Sequence, residues 1–211
     1  MKKIMFNDRY GLTQAVLEGR KTMTRRIIKL PYGTEGIYDW TLSDHPAPLV
    51  SIRTKDGELH DRIPSYQVGE EVAIAQAYND FYDDGCDPRR FPSGAGWKNK
   101  MFVRADLMPH AIRITDIKAE RLQDISDKDC LKEGIQSLRT PNGEVYVAGG
   151  VRINESDKER IRCGRVTVAD IIKHDTPQEA FAALIERPGI GHKGDWSKNP
   201  WVFAYSFELV R

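Results

Sequence analysis

Short runs of alternating apolar and polar residues dominate this chain. The clearest strand is Trp201-Val202-Phe203-Ala204-Tyr205-Ser206-Phe207-Glu208-Leu209, an apolar, aromatic-rich run. Residues 101–105 and 111–117 alternate as half-buried strands do, and residues 165–168 form a further short one. Ile4-Met5-Phe6 opens the chain as a strand-like run, and residues 71–75 follow a turn at Gly69 as a buried strand. Residues 49–53 and 58–60 flank Lys55-Asp56-Gly57, and a second hairpin turn is predicted around Pro141-Asn142-Gly143. Helical spacing is rarer. Leu12, Ala15 and Val16 make one apolar face after Asn7 or Asp8 as N-cap, and Gly19 is placed to stop that helix. Ser126, with Asp129 at the capping-box position, starts a helix that passes Cys130, Leu131 and Glu133 to a stop at Gly134. Thr176 and Pro177 start another, with Phe181, Leu184 and Ile185 as its stripe.

Strands joined by turns, with three small helices, predict an α+β, mainly β fold: a compact barrel or curled sheet rather than a doubly wound sheet. With 211 residues and 40% hydrophobic content, the chain suits one domain, 1–211, carrying insertions at about 30–65, 79–100 and 136–165. Its net charge of +1 leaves no whole-protein field to hold nucleic acid, so any such binding must come from a patch. Cys86, Cys130 and Cys163 lack CxxC spacing, and the five histidines never fall at ligand spacing, so neither metal nor cofactor is expected. The absence of a long apolar run and of a signal-like start predicts a cytoplasmic protein with no membrane partner.

One patch stands out. Gly19-Arg20-Lys21-Thr22-Met23-Thr24-Arg25-Arg26, extended to Lys29, places five cations within ten positions, directly after the first helix. Such a cluster suits an anion, and it is equally what a solvated basic surface contains. It also sets a lysine near threonine hydroxyls. Burial and the like charges of Arg20, Arg25 and Arg26 would lower the lysine pKa, and a neutral lysine can take a threonine proton. In a regular strand Lys21 and Thr24 would point to opposite faces, so a site using both needs a turn or bulge here. Trp196 and Trp201 bracket the approach to the last strand and suit either base stacking or core packing. Trp97, beside Lys98 and Lys100 in a predicted loop, is a further candidate for contact with nucleic acid.

The run at 19–26 after a helix, the Gly69 turn into a strand, a helix ending Lys132-Glu133-Gly134 and an aromatic-rich last strand together resemble the ASCH domain family. The resemblance covers the two ends and the middle of the chain, and its Gly-Arg-Lys-Thr-x-Thr run is the most specific part. It implies a PUA-like β-barrel linked to RNA, and the long form with insertions is similar to phage and prophage members. Small bacterial members include N4-acetylcytidine amidohydrolases. Carried over by motif, their lysine, threonine and glutamate fall on Lys21, Thr24 and Glu133, and the arginine two after the threonine falls on Arg26. The resemblance thus implies a metal-independent hydrolase with Lys21 as base, Thr24 as nucleophile and Glu133 as proton donor. Arg20, Arg25, Arg26, Trp196 and Trp201 would hold substrate or phosphate. An RNA-binding module without chemistry, taking single-stranded RNA on the same cations, stays open, as does a phage assembly or host-interaction role.

Overall fold

The computed structural model describes residues 1–29, 37–43, 49–54, 57–82, 94–140, 142–148 and 173–210. Lys2–Ile4 (β1) leads through a 3-10 turn at Asp8–Tyr10 into the helix Leu12–Leu17 (α1). Met23–Ile27 (β2) follows, then Ile37–Ser43 (β3), Leu49–Thr54 (β4), Leu59–Arg62 (β5), Glu71–Ile74 (β6) and Ala111–Arg121 (β7). The helix Asp127–Lys132 (α2) precedes Gln136–Thr140 (β8), Gly143–Val147 (β9) and Lys173–His174 (β10). Pro177–Ile185 (α3), Asp195–Lys198 (α4) and Trp201–Leu209 (β11) complete the order.

The fold is α+β, with more strand than helix. Its main sheet is open and mixed, in the order β1-β6-β7-β11-β2, with β1 parallel to β6 and the other neighbours antiparallel. The two edge strands are linked by a side chain: the Arg26 guanidinium donates 2.8 Å to the carbonyl of Met5, just beyond β1. Two small antiparallel sheets accompany it: β3-β4-β5 falls within the segment predicted as an insertion at 30–65, and β10-β9-β8 takes β8 and β9 from that at 136–165 and β10 from beyond it. No helix among the described residues is long and apolar enough to cross a membrane.

From Val72 onward strand β6 is buried on both faces, which is why the run Val72-Ala73-Ile74-Ala75 is continuously apolar. Val72 and Ile74 enter the main core with Ile4, Phe6, Ile112, Ile114, Phe203, Tyr205 and Phe207. Ala73 and Ala75 face a second cluster of Tyr78, Val103 and Met108. Helix α3 lays Phe181, Leu184 and Ile185 on the main core and packs against α2.

The strands flanking both predicted hairpin turns pair with each other, β4 with β5 and β8 with β9. Residues 101–105 do not form the predicted strand; they lie in two 3-10 turns, Lys100–Phe102 and Ala105–Leu107. The Lys3 ammonium takes the carbonyls of Met101 and Val103, both at 2.7 Å, so these acceptors are satisfied by a side chain and not by a neighbouring strand. Asn99 caps the first turn through the Met101 N–H. Trp40 lies in β3. The strand expected at 165–168 lies outside the described residues.

Phe181 carries the contact of α3 with the core and is fully buried. Phe181→Ala is expected to cost about 3–5 kcal/mol. Urea unfolding should show a lower midpoint with an unchanged slope.

Candidate active site

The route of the chain after α1 sets the site. Gly19 adopts φ +71, and the N–H groups of Arg20 and Lys21 both donate 2.9 Å to the Ala15 carbonyl. This tight reversal folds Lys21 back under the helix before β2 begins. Thr22 then joins two distant elements: its N–H donates to the Lys132 carbonyl, and its carbonyl accepts from the Phe207 N–H, both at 2.9 Å. Gly134, which ends α2 at φ +100, sits over the Lys21 side-chain stem.

Lys21 is 2% exposed and its ammonium has three acceptors for its three protons. They are the carbonyl of Met23 at 2.7 Å, the carbonyl of Glu133 at 2.9 Å and Glu133 Oε2 at 2.6 Å. Glu133, 4% exposed, also accepts on Oε1 from Arg25 Nη1 at 3.2 Å. Arg25 turns its remaining donors to Glu120 at 2.6–2.8 Å and to Asp129 at 3.5 Å. Lys118 bridges Glu120 at 3.0 Å and Asp129 at 3.2 Å, and Lys132 meets Asp129 at 3.0 Å. The result is a cluster of three carboxylates and four cations between β2, β7 and α2.

The charges in this cluster are tuned by their surroundings. Burial pushes the Lys21 pKa down, Glu133 pushes it back up, and Arg26 and Arg25 add smaller downward contributions; the balance is below the ordinary lysine value. Burial alone would raise Asp129, but hydrogen bonds from Lys132 and Lys118 outweigh it and bring the carboxyl to about 2. Cys130, buried nearby, has its thiol pushed up to about 12 by burial, so it is unreactive. Among the described residues no group of histidines, cysteines and carboxylates has metal-holding geometry.

Thr24 is buried and pairs with Tyr205 across the sheet. It points to the face opposite Arg25, as strand alternation requires. Because the Thr22 carbonyl is taken by β11, the Met23 carbonyl points to the free edge of β2. The Lys21 ammonium therefore caps that edge, one peptide group from Thr24 and between the two faces. The structure thus joins Lys21 directly to Glu133, and it ties Lys21 to the backbone of Met23, the residue before Thr24.

The remaining sequence-derived residues are placed differently. Arg25 is engaged with three carboxylates, and Arg20 is paired with Glu18 at 2.7–2.8 Å. Arg26 and Lys29 are exposed. Trp201 opens β11 under the Arg121 guanidinium, 4.8 Å from its ring centre, and Trp196 packs edge-on against Phe181 at 6.2 Å. Trp201 lies six strand residues from Phe207, about 20 Å away from the Lys21 end of the sheet. Trp201 consequently packs at a different place from the lysine, while Phe181, on which Trp196 packs, lies under the Arg25 guanidinium. Trp97 packs edge-on with Tyr82 at 5.0 Å in the second cluster. Glu120 and Lys118 were not singled out by sequence, because two charged residues on one strand face look like a solvated edge. Asp129 was read as a capping residue. Ser126 does cap its N–H, but its carboxylate turns to the lysines.

Two titrations follow. With ¹³Cε-labelled lysine, the Lys21 resonance should titrate below the exposed lysines, and Glu133→Gln should lower it further by removing the interactions that raise it. Below its folded pKa the cost of burying the Lys21 charge is fully present; stability should rise with pH from that value toward 10.5. Asp129 acts in the opposite range, its contribution being lost as pH falls from about 4 to about 2. No family model, curated protein or solved structure matches this chain.

Proposed function

We propose that this chain is an ASCH-type protein whose open sheet belongs to a PUA-like barrel. Its reaction is removal of the acetyl group from N4-acetylcytidine, free or in single-stranded RNA, in the cytoplasm and without metal. The observation that carries this reading is the buried 2.6 Å contact between Lys21 Nζ and Glu133 Oε2, with the same ammonium on the carbonyl of Met23, the residue before Thr24. A lysine needed only for phosphate would gain nothing from a carboxylate in the way.

Proton transfer along that contact converts the ion pair into a neutral amine and a carboxylic acid, and burial favours the neutral forms. The pair then holds a base and an acid together. Thr24 Oγ1 forms a bond to the acetyl carbon as its proton passes to Lys21 Nζ. Collapse of the tetrahedral oxyanion breaks the C–N4 bond, and the Glu133 carboxyl gives its proton to N4, releasing cytidine. Water attacks the acetyl-threonine ester and gives a proton to the Glu133 carboxylate. The Lys21 ammonium returns a proton to Thr24 Oγ1 as acetic acid departs. The starting protonation states are restored. Arg25, held by Glu120 and Asp129, positions the Glu133 carboxyl through Oε1.

The RNA-binding reading rests on the exposed Arg26 and Lys29, since Lys21, Arg25 and Arg20 are engaged by carboxylates. Two phosphate contacts would give a salt slope of only about −1.4 on single strands. That is too weak to serve as a stand-alone module.

Purified protein should release cytidine from N4-acetylcytidine with no added metal. Thr24→Ala and Lys21→Ala should each abolish turnover, and Lys21→Arg should do the same because arginine keeps its proton. The rate should rise with pH through the Lys21 value. Full turnover in Lys21→Arg would remove the hydrolase reading.

A further inference from the structure

The end of the sheet that holds Lys21 contains a polar group that the proposed reaction does not use. Gln76 follows β6, two residues beyond Ile74, and continues the Val72-Ile74 row that faces the main core, since Ala73 and Ala75 take the other face. In the parallel register of β1 and β6, Ile4 lies beside Ile74, so the next residues on this face are Phe6 and Gln76. The Phe6 ring in turn lies 5.9 Å from the Lys21 ammonium. Phe6 thus links the two: it meets Lys21 through its ring, and it follows Ile4 on the face where Gln76 follows Ile74.

The Gln76 side chain is a chemical anomaly there. The residue is only 9% exposed, yet its Oε1 is buried with no hydrogen-bond partner among the described residues. Its backbone N–H is occupied, meeting Met108 Sδ at 3.3 Å, so the vacancy is confined to the side chain. An orphaned buried amide is destabilising, and a glutamine in such a position is explained when something else supplies the missing partners.

We infer that Gln76 is the specificity residue of the site, reading the hydrogen-bonding edge of an N-acylated cytosine. The chemistry of the two edges is complementary. The buried Oε1 needs a donor, and the N4–H of the acetylated amide is one. The Nε2 group has protons to give, and cytosine N3 beside N4 accepts one. This two-bond pairing would fix the orientation of the scissile amide, with its carbonyl carbon turned away from Gln76. The inference rests on the hydrolase reading only for the identity of the ligand, and it concerns binding, not bond cleavage.

The test uses the full chain with N4-acetylcytidine and its N4-methyl derivative, which lacks the N–H. The Gln76 side-chain amide resonances, assigned by their loss in Gln76→Met, should shift on titration with N4-acetylcytidine. Gln76→Met should weaken its binding roughly ten- to a hundredfold. The same substitution should weaken the methylated analogue much less, because one bond is already missing. Gln76→Met should also unfold at an equal or higher denaturant concentration, since an orphaned amide gives way to an apolar chain of similar length. Equal binding by wild type and Gln76→Met, no resonance shift, or marked destabilisation of the variant would each overturn the inference. Binding that depends on Gln76 without cleavage would sink the hydrolase reading and leave the inference standing. Cleavage that ignores Gln76 would do the reverse.

Discussion

Lys21 and Arg25 lie inside the protein as cations, and taking each from water costs several kcal/mol unless carboxylates and hydrogen bonds replace the lost solvation. That requirement governs the geometry around β2. The carboxylates come from Glu120 on β7, Asp129 in α2 and Glu133 at its end, so no single element can satisfy the cations. Strand β2 must stay paired through β11 to β7, and α2 must sit against β2, or charges are left unmatched. The Thr22 backbone adds a second restraint at the same point, bonding to both Lys132 and Phe207. A cluster like this fixes one arrangement by making every alternative expensive, whether or not its net contribution to stability is large.

The main sheet supports this arrangement by burying β6 on both faces. Apolar contact on one side orders the row ending at Phe6 and Gln76, while the second cluster holds the opposite side. Tyr78 anchors that second side, with its hydroxyl accepting from the Arg104 N–H at 2.9 Å. Curling of the sheet brings Met5 within reach of Arg26, so residues from both edges contribute to one end of the molecule.

Elements defined by local chemistry were legible in the sequence. The hairpin ending at Gly143, the cap at Thr176 with Pro177, and the strand β11 depend on neighbours in the chain, and each forms as read. The segment 101–105 was not legible, because its carbonyls are claimed by Lys3, far away in sequence. The contact of Lys21 with Glu133 followed from motif order. Charge alone could not distinguish a buried arginine such as Arg25 from an exposed one such as Arg26, because neighbouring strand positions face opposite ways. Trp196 and Trp201 looked like stacking platforms by composition, but register places Trp201 at the far end of β11, and Trp196 packs from α4 against Phe181. Gln76 had no signature at all, since its interest lies in a partner it lacks.

The strand order also governs when this site can assemble. Lys21 and Glu133 are 112 positions apart, and the ladder that holds β2 is made with β11. During synthesis β2 emerges early and waits for residues 201–209 before that pairing can form. Until then Lys21 and Arg25 remain hydrated and the apolar strands lack their sheet. Loop-closure entropy on this scale makes the ladder a slow, late step in folding. A nascent chain stopped after Glu133 would contain every residue of the proposed reaction and still lack the strand that positions them.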